Sequence, residues 1–378
     1  MNATSFTFEP HIPRVVFGTG SLQQLPAEVE RLGATRALVL STPEQEASAR
    51  RVAELLGERS AGVFPRAVMH VPIEAAREAR DEARRLGADC AVAIGGGSTT
   101  GLGKAIALDS GLPIIAIPTT YAGSEMTPIY GLTEAGVKKT GRDPRVLPRT
   151  VIYDPELTLT LPVGLSVTSG LNAIAHAAEG LYAYDGNPII ALMAEEGIRA
   201  LAKALPALYA ALAAREALTP TLSQRERELA LAARADALHG AWLCGAVLGH
   251  VSMGLHHKLC HTLGGSFNLP HAEVHAVVLP HALAYNAANA PAAMARIARA
   301  LGAGRSPLGH DNAPTELQNL ARRLGAPTSL QEIGMSFDGL DRAADLAVTT
   351  PYPNPRPLER SALRALLQRA FDGAPPSL

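Results

Sequence analysis

A short apolar run that ends in three glycines sets the strongest limit on how this chain can fold. Residues 90–94 read CAVAI and are followed at once by Gly95-Gly96-Gly97-Ser98-Thr99-Thr100, then by a helical stretch over residues 101–108. A fully apolar run of that length suits a strand buried on both faces. A glycine turn leading into a helix leaves free backbone N–H groups and the positive end of the helix dipole at one place. Further buried strands are predicted over residues 36–41 (RALVLS), 113–117 (PIIAI) and 150–153 (TVIY). A helix is predicted over residues 74–86, with Ala75, Ala76, Ala79, Ala83 and Leu86 on one face and Arg and Glu opposite; Gly87 ends it. Short apolar strands separated by helices imply a mostly parallel sheet covered on both sides.

After Leu161-Pro162 the texture changes. The sequence becomes rich in Ala and Leu with long helical periods, as at Leu192, Ile198, Leu201 and Leu205. Two domains are therefore expected: an α/β dinucleotide-binding domain over residues 1–163 and an all-helical domain over residues 164–378. A length of 378 residues leaves room for both. Residues 218–228 (LTPTLSQRERE) are polar with Pro220 among them, and predict a surface loop between two helices. Pro351, Pro353, Pro355 and Pro357 predict an irregular connection, with a last helix over residues 359–371.

Charge excludes several classes of partner. Positive and negative side chains balance to a net −1, so no field draws nucleic acid or an anionic membrane surface. No run of about 18 uncharged apolar residues occurs. Three cysteines without a CxxC pair suit reduced thiols. Residues 1–13 lack a basic segment followed by an apolar one, so a cytoplasmic location without a signal peptide is expected.

A second polar loop follows the strand at residues 113–117. Pro118-Thr119-Thr120-Tyr121-Ala122-Gly123-Ser124-Glu125 puts hydroxyls where the glycine turn already lies, at the carboxyl ends of the strands. Ligands of open α/β sheets bind there, so the two loops predict a nucleotide phosphate site. The glycine turn is neither GxGxxG nor a P-loop.

Eight of the twelve histidines fall between His239 and His281. His257 and His261 are four apart and share a helix face, as do Asn172 and His176 upstream. His271 returns after Gly264-Gly265. Such spacing suits either a metal site or an acid–base site. His239, His250, His256, His275 and His281 are read individually as packing or surface residues.

Taken together, these residues resemble the iron-containing alcohol dehydrogenase superfamily, and within it the maleylacetate reductases. The resemblance runs through nearly the whole chain. Gly95 to Thr99 and PTTYAGSE carry the superfamily pattern; TGRDPRVLPR (residues 140–149) and HHKLCHTLGG (residues 256–265) carry the narrower one, with Leu269-Pro270-His271 and Asn354-Pro355-Arg356. Residues 218–228 do not match it. The implied fold is the dehydroquinate synthase-like one, an α/β dinucleotide-binding domain and a helical domain with the active site between them. Metal-dependent members hold a divalent ion by an aspartate and three histidines. The matching positions are Asn172, His176, His257 and His271, so an amide replaces the carboxylate. An amide oxygen offers a dipole where a carboxylate offers a charge, and the maleylacetate branch is regarded as needing no metal.

The resemblance implies NADH- or NADPH-dependent reduction of the C=C bond of maleylacetate to 3-oxoadipate in aromatic compound degradation. His176, His257 and His261 are expected as donors or proton source, with His271 completing the polar wall beside Asn172. Lys258 and Arg142 are the candidate cations for a small dicarboxylate substrate. Gly96, Gly97, Ser98, Thr119, Thr120 and Ser124 are expected at the cofactor, with Ser41 and Thr42 near its adenosine ribose and Lys138 near its pyrophosphate. A homodimer is implied, with a strand over residues 4–8 involved. Three rival readings are a metal-dependent alcohol or lactaldehyde-type dehydrogenase that accepts asparagine as a ligand, a dehydroquinate synthase-like lyase, and a non-catalytic nucleotide sensor.

Overall fold

A computed structural model describes residues 5–134, 137–217, 224–302, 312–349 and 352–377. The chain divides into two compact units. An α/β unit spans His11–Leu161, and a helical unit begins at Pro162 and includes residues 5–10.

In the α/β unit the strands are β1 (Arg14–Phe17), β2 (Ala37–Leu40), β3 (Ser60–Phe64), β4 (Cys90–Gly95), β5 (Ile114–Pro118), β6 (Ile129–Glu134), β7 (Val137–Arg142) and β8 (Thr150–Tyr153). Six form one sheet in the order β1-β8-β5-β4-β2-β3, and β6 and β7 form a hairpin. Every pairing in the large sheet is parallel. Its helices are α1 (Leu25–Arg31), α2 (Glu46–Leu56), α3 (Ile73–Arg85) and α4 (Gly97–Ser110). Side chains alternate across the central strands, as a period of two requires. Val39, Val92 and Ile94 face one core with Ala49 and Val52 of α2; Leu38, Leu40 and Ala91 face another with Ala76, Ala79 and Ala83 of α3.

Four strands predicted from apolar runs are present. The structure adds β1, β3 and the hairpin. β1 and β3 are the sheet edges and only partly buried, and β3 contains Ser60 and, at φ 148°, Gly62, so neither carries a continuous apolar run.

The helical unit contains α5 (Val163–Gly180), α6 (Pro188–Ala217), α7 (Gln224–His250), α8 (Leu255–Phe267), α9 (His271–Asn286), α10 (Pro291–Ala300), α11 (Ala313–Arg323), α12 (Gly339–Thr349) and α13 (Arg360–Phe371). Two expectations change here. Residues 218–223 lie outside the described residues, but Gln224 to Glu228 open α7 instead of extending a loop. Thr4 also lies outside, and residues 5–8 form no strand; they belong with the helical unit, where the Phe8 ring lies 5.6 Å from that of His250. Among the described residues no single helix is long and apolar enough to cross a membrane.

Cys90 on β4, Cys244 on α7 and Cys260 on α8 are buried and unpaired. Burial, with Asp89 adding to it, pushes the Cys90 thiol up to about 12, and burial pushes Cys244 up as well.

α6 and α7 approach closely through glycine. A Cβ on Gly197 would lie 2.7 Å from Cys244 Sγ and 3.2 Å from the backbone oxygen of Gly240. Backbone cannot step aside as a side-chain tip can. Gly197→Ala is therefore expected to cost about 1–3 kcal/mol, read as a lower midpoint in thermal or urea unfolding; an unchanged midpoint would contradict this packing.

Candidate functional site

In the α/β unit the chain order reverses at the β2–β4 boundary. From β2 the chain moves outward to β3; from β4 it moves the other way to β5. Open parallel sheets bind ligands at such a switch point. The carboxyl ends of β2 and β4 bring Ser41-Thr42 and Gly95 to Gly97 to this edge. Gly95 holds φ 152°, and a Cβ there would run into Thr99 Oγ1 and lie 2.8 Å from Gln45 Oε1. A Cβ on Gly96 would lie 3.1 Å from Thr120 Cγ2, whereas nothing lies within 4 Å of one on Gly97. The first residue of α4 thus faces open space, and no side chain caps this helix end. Free N–H groups there suit a phosphate.

Three segments are tied together around that helix end. Thr119 N–H donates to Gly95 O at 3.0 Å, and Gln45 Nε2 donates to Thr119 Oγ1 at 2.9 Å. Beneath them Lys104 of α4 is fully buried. Its ammonium donates to Ser124 O at 2.7 Å, Ile129 O at 2.7 Å and Thr127 Oγ1 at 2.9 Å. Burial pulls this ammonium down to about 7, against the pull of the Glu125 carboxylate. Glu125, raised by burial, accepts a 2.7 Å hydrogen bond from Tyr153. Lys104 therefore fastens both the loop carrying Ser124 and the first residue of the hairpin. The one sequence clue to it is a lysine in an otherwise small and apolar helix, GLGKAIAL.

In the helical unit Glu179 organises the histidines. It lies in the last turn of α5, is fully buried, and faces the start of α8. Its carboxylate accepts from the N–H groups of Gly254 at 3.1 Å, His256 at 2.9 Å and His257 at 3.3 Å. Gly254, the residue before α8, has no side chain to cap the helix, so Glu179 supplies the acceptor and the negative charge from another element. The same carboxylate accepts from His257 Nδ1 at 2.6 Å. Burial pushes the Glu179 carboxyl up, but the His257 hydrogen bond and charge and the backbone N–H groups outweigh it, leaving it below the ordinary carboxylate range. With Nδ1–H donating to a carboxylate, neutral His257 presents Nε2 as an acceptor.

The remaining imidazoles gather around this pair. His176 stacks on His257 with ring centroids 5.1 Å apart, and His261 lies 6.3 Å from His257, edge-on. His275 lies 4.4 Å from His271, 5.1 Å from His257 and 4.8 Å from His256. Burial first, then its neighbours His257 and His256, pushes the His176 pKa well below the usual imidazole range. Asn172 Oδ1, His176 Nδ1, His257 Nε2 and His275 Nε2 are buried without a hydrogen-bond partner among the described residues. Such groups are costly unless a ligand meets them.

The site residues expected from sequence fare unevenly. His176, His257, His261 and His271 come together, His271 through His275, while Asn172 lies four residues before His176 on α5. Lys258 turns toward Tyr352, its ammonium 5.8 Å from the ring. Arg142 is exposed at the end of β7, in the α/β unit. Ser41 is buried, and its hydroxyl donates to Thr42 O at 3.0 Å, so of that pair only half-buried Thr42 is open to a ribose. Gly96, Gly97, Ser98, Thr119 and Thr120 lie at or beside the switch-point edge, and Ser124 lies over Lys104; the side chain of Lys138 lies outside the described residues. His256 and His275, read as packing residues, are part of the cluster. Glu179 has no sequence signal beyond lying three residues after His176.

Family models match both units: iron-containing alcohol dehydrogenase over residues 13–155, and the C-terminal part of the Fe-containing alcohol dehydrogenase family over residues 166–371. The chain belongs to this family. It is 68% identical over 377 residues to a maleylacetate reductase from Burkholderia cepacia, covering 100% of both chains. The crystal structure of maleylacetate reductase from Agrobacterium tumefaciens superposes with a TM-score of 0.88 at 53% identity, covering 99% of this chain and 100% of that one. The corresponding structure from Rhizobium sp. strain MTP-10005 gives 0.87 at 54% identity and covers 100% of both.

The family name raises iron, and the residues can be tested for it. The matching set is Asn172, His176, His257 and His271. Among the described residues, only His256, Cys260 and His275 bring three histidine, cysteine or carboxylate ligand atoms within 4.8 Å of one another. The histidines of the matching set do not converge as a cage requires, and its first member is an amide. This set does not fit a divalent ion.

Three outcomes follow from these fastenings. Glu179→Ala should lower unfolding stability by about 3 kcal/mol or more, with Glu179→Gln milder because the amide oxygen still accepts. A carboxylate held low in the folded state contributes stability above its unfolded pKa, lost as pH falls through the folded one; Glu179→Gln should flatten that acid limb in pH-dependent urea unfolding. Lys104→Met should raise KM for the nicotinamide cofactor several-fold with a smaller change in kcat, checked by steady-state kinetics; a change confined to kcat would refute the anchoring role.

Proposed function

We propose that this chain reduces the C=C bond of maleylacetate to 3-oxoadipate with NADH or NADPH, without a metal. The observation that carries this reading is the group of imidazoles around Glu179, in which His176 Nδ1, His257 Nε2 and His275 Nε2 are buried without a hydrogen-bond partner among the described residues, in a chain of this family. The identity to maleylacetate reductases along the full length supports it.

The nicotinamide, when bound, supplies a hydride to the alkene carbon β to the ketone. The switch-point edge holds its phosphates through the N–H groups at the start of α4 and the hydroxyls of Ser98, Thr119 and Thr120. The α/β unit thus contributes position.

The helical unit contributes polarity. Hydride addition to a conjugated ketone spreads negative charge over an enolate, which hydrogen-bond donors in a dry site stabilise by roughly 3 kcal/mol each. Imidazoles depressed by burial, such as His176, are neutral at pH 7 and donate one N–H without carrying charge. His257, its ring oriented by Glu179 through Nδ1, takes a proton from solvent at Nε2 and delivers it to the α carbon of the enolate. His261 and His271, less buried, are placed for exchange with solvent. Lys258, on the helical unit, is the cation proposed for a substrate carboxylate.

The expected result is loss of the NADH absorbance band with maleylacetate, formation of 3-oxoadipate, and a rate unchanged after exhaustive chelation. His257→Asn should lower kcat by about a hundredfold or more with the fold retained by circular dichroism. Activity that vanishes on chelation and returns with Fe²⁺ or Zn²⁺ would instead favour the alcohol dehydrogenase reading.

A further inference from the structure

We propose that Asn354, held by Asn286, is a positioning residue for the active site: its amide oxygen caps α8 where Glu179 does not, and so fixes the helix start that carries His257. The inference rests on the proposed reductase site and gives the Asn354-Pro355-Arg356 motif a physical role.

The start of α8 needs more acceptors than Glu179 provides. The first hydrogen bond along the helix runs from Lys258 N–H to Gly254 O at 3.2 Å. The N–H groups of Leu255, His256 and His257 must therefore find acceptors elsewhere. Glu179 takes those of His256 and His257. The N–H of Leu255 donates to Asn354 Oδ1 at 3.3 Å. Two residues far apart in sequence thus share one helix end. Gly254 lets both come close, since a Cβ there would lie 3.2 Å from Asn354 Oδ1 and 3.3 Å from Glu179 Oε1.

Backbone groups fix which end of the Asn354 amide faces the helix. Its Nδ2 donates to Arg356 O at 2.7 Å, and a carbonyl can only accept. Its Oδ1 is thereby left to the Leu255 N–H, which can only donate. Asn286, fully buried at the end of α9, meets Asn354 reciprocally. Asn286 Nδ2 donates to Asn354 Oδ1 at 3.0 Å, and Asn286 Oδ1 accepts from Asn354 Nδ2 at 2.7 Å. The Arg356 N–H, 3.4 Å from Asn286 Oδ1, sets the sense of that amide in turn. Flipping either amide would set donor against donor and acceptor against acceptor.

The prolines around Asn354 make the support stiff. Pro353, Pro355 and Pro357 each fix φ near about −65° and have no N–H of their own to satisfy. Pro355 also biases Asn354 toward an extended backbone. Tyr285, beside Asn286 on α9, donates its hydroxyl to Pro357 O at 2.6 Å and holds the far end of the segment. α9 also carries His271 and His275. The amide pair therefore ties the start of α8 to the helix that supplies these two imidazoles.

The test uses the full-length protein and two readouts, amide exchange with deuterium by NMR and steady-state kinetics. In the unmodified protein the Leu255 amide should be protected to within about tenfold of those of His256 and His257. Asn354→Ala should speed Leu255 exchange about tenfold or more and lower kcat on the order of tenfold, with KM for NADH unchanged. Asn286→Ala should act in the same direction, and the double variant should lose no more than the worse single one, because both residues act through one bridge. Tyr285→Phe loosens the same segment at Pro357 but leaves the amide pair, so Leu255 exchange and kcat should stay near their unmodified values. A Leu255 amide that is unprotected in the unmodified protein would overturn the proposal. So would an unchanged kcat in Asn354→Ala, or an equal loss of kcat in Tyr285→Phe. If neither asparagine variant folds, Leu255 protection in the unmodified protein decides. Failure of the unmodified protein to turn over maleylacetate would remove the proposed function but leave the cap, read by exchange alone, standing.

Discussion

One buried carboxylate holds the helical unit's chemistry in place. Glu179 accepts hydrogen bonds from three backbone N–H groups at the start of α8 and from the ring of His257. A helix end without its own cap and an imidazole without an orienting partner would each be free to wander. Joining them to one acceptor makes the position of α8 and the direction of the His257 ring a single decision. The cost of burying the charge is offset because every lone pair has a donor. His176, one turn earlier on α5, inherits the same frame and stacks on the ring that Glu179 holds.

The α/β unit solves the same problem with the opposite sign. Its α4 start is left uncapped and open at Gly97, so the helix's positive end remains available to an anion. The restraint lies one layer down, where the Lys104 ammonium gathers carbonyls from the loop after β5 and from the hairpin. A carboxylate closes one helix end and a lysine secures the ground below another. In both cases a buried ion with a full set of partners fixes backbone that would otherwise be loop.

Legibility in the sequence followed the kind of signal involved. The central strands β2, β4, β5 and β8 were readable because burial on both faces leaves an unbroken apolar run. The edge strands β1 and β3 were not, since one side of each needs no such run. The histidines at i and i+4 were readable as shared helix faces, but spacing could not say which were core and which were site; His256 and His275 looked like packing and belong to the cluster. Glu179, Lys104 and Gln45 were invisible because their meaning lies in long-range partners. Glu179 meets residues more than seventy positions away, a relation no local pattern records. The resemblance to a known family supplied the matching ligand positions, yet the convergence of donor atoms needed coordinates.

The placement of the cysteines has a practical consequence. Each is enclosed in a different layer: Cys90 in the parallel sheet, Cys244 in the seam between α6 and α7, Cys260 among the residues around α8 and α9. With their thiols held protonated, alkylating reagents meet them only when the surrounding layer opens. The chain thus comes with three built-in clocks, and the order in which they are modified would report which layer breathes first.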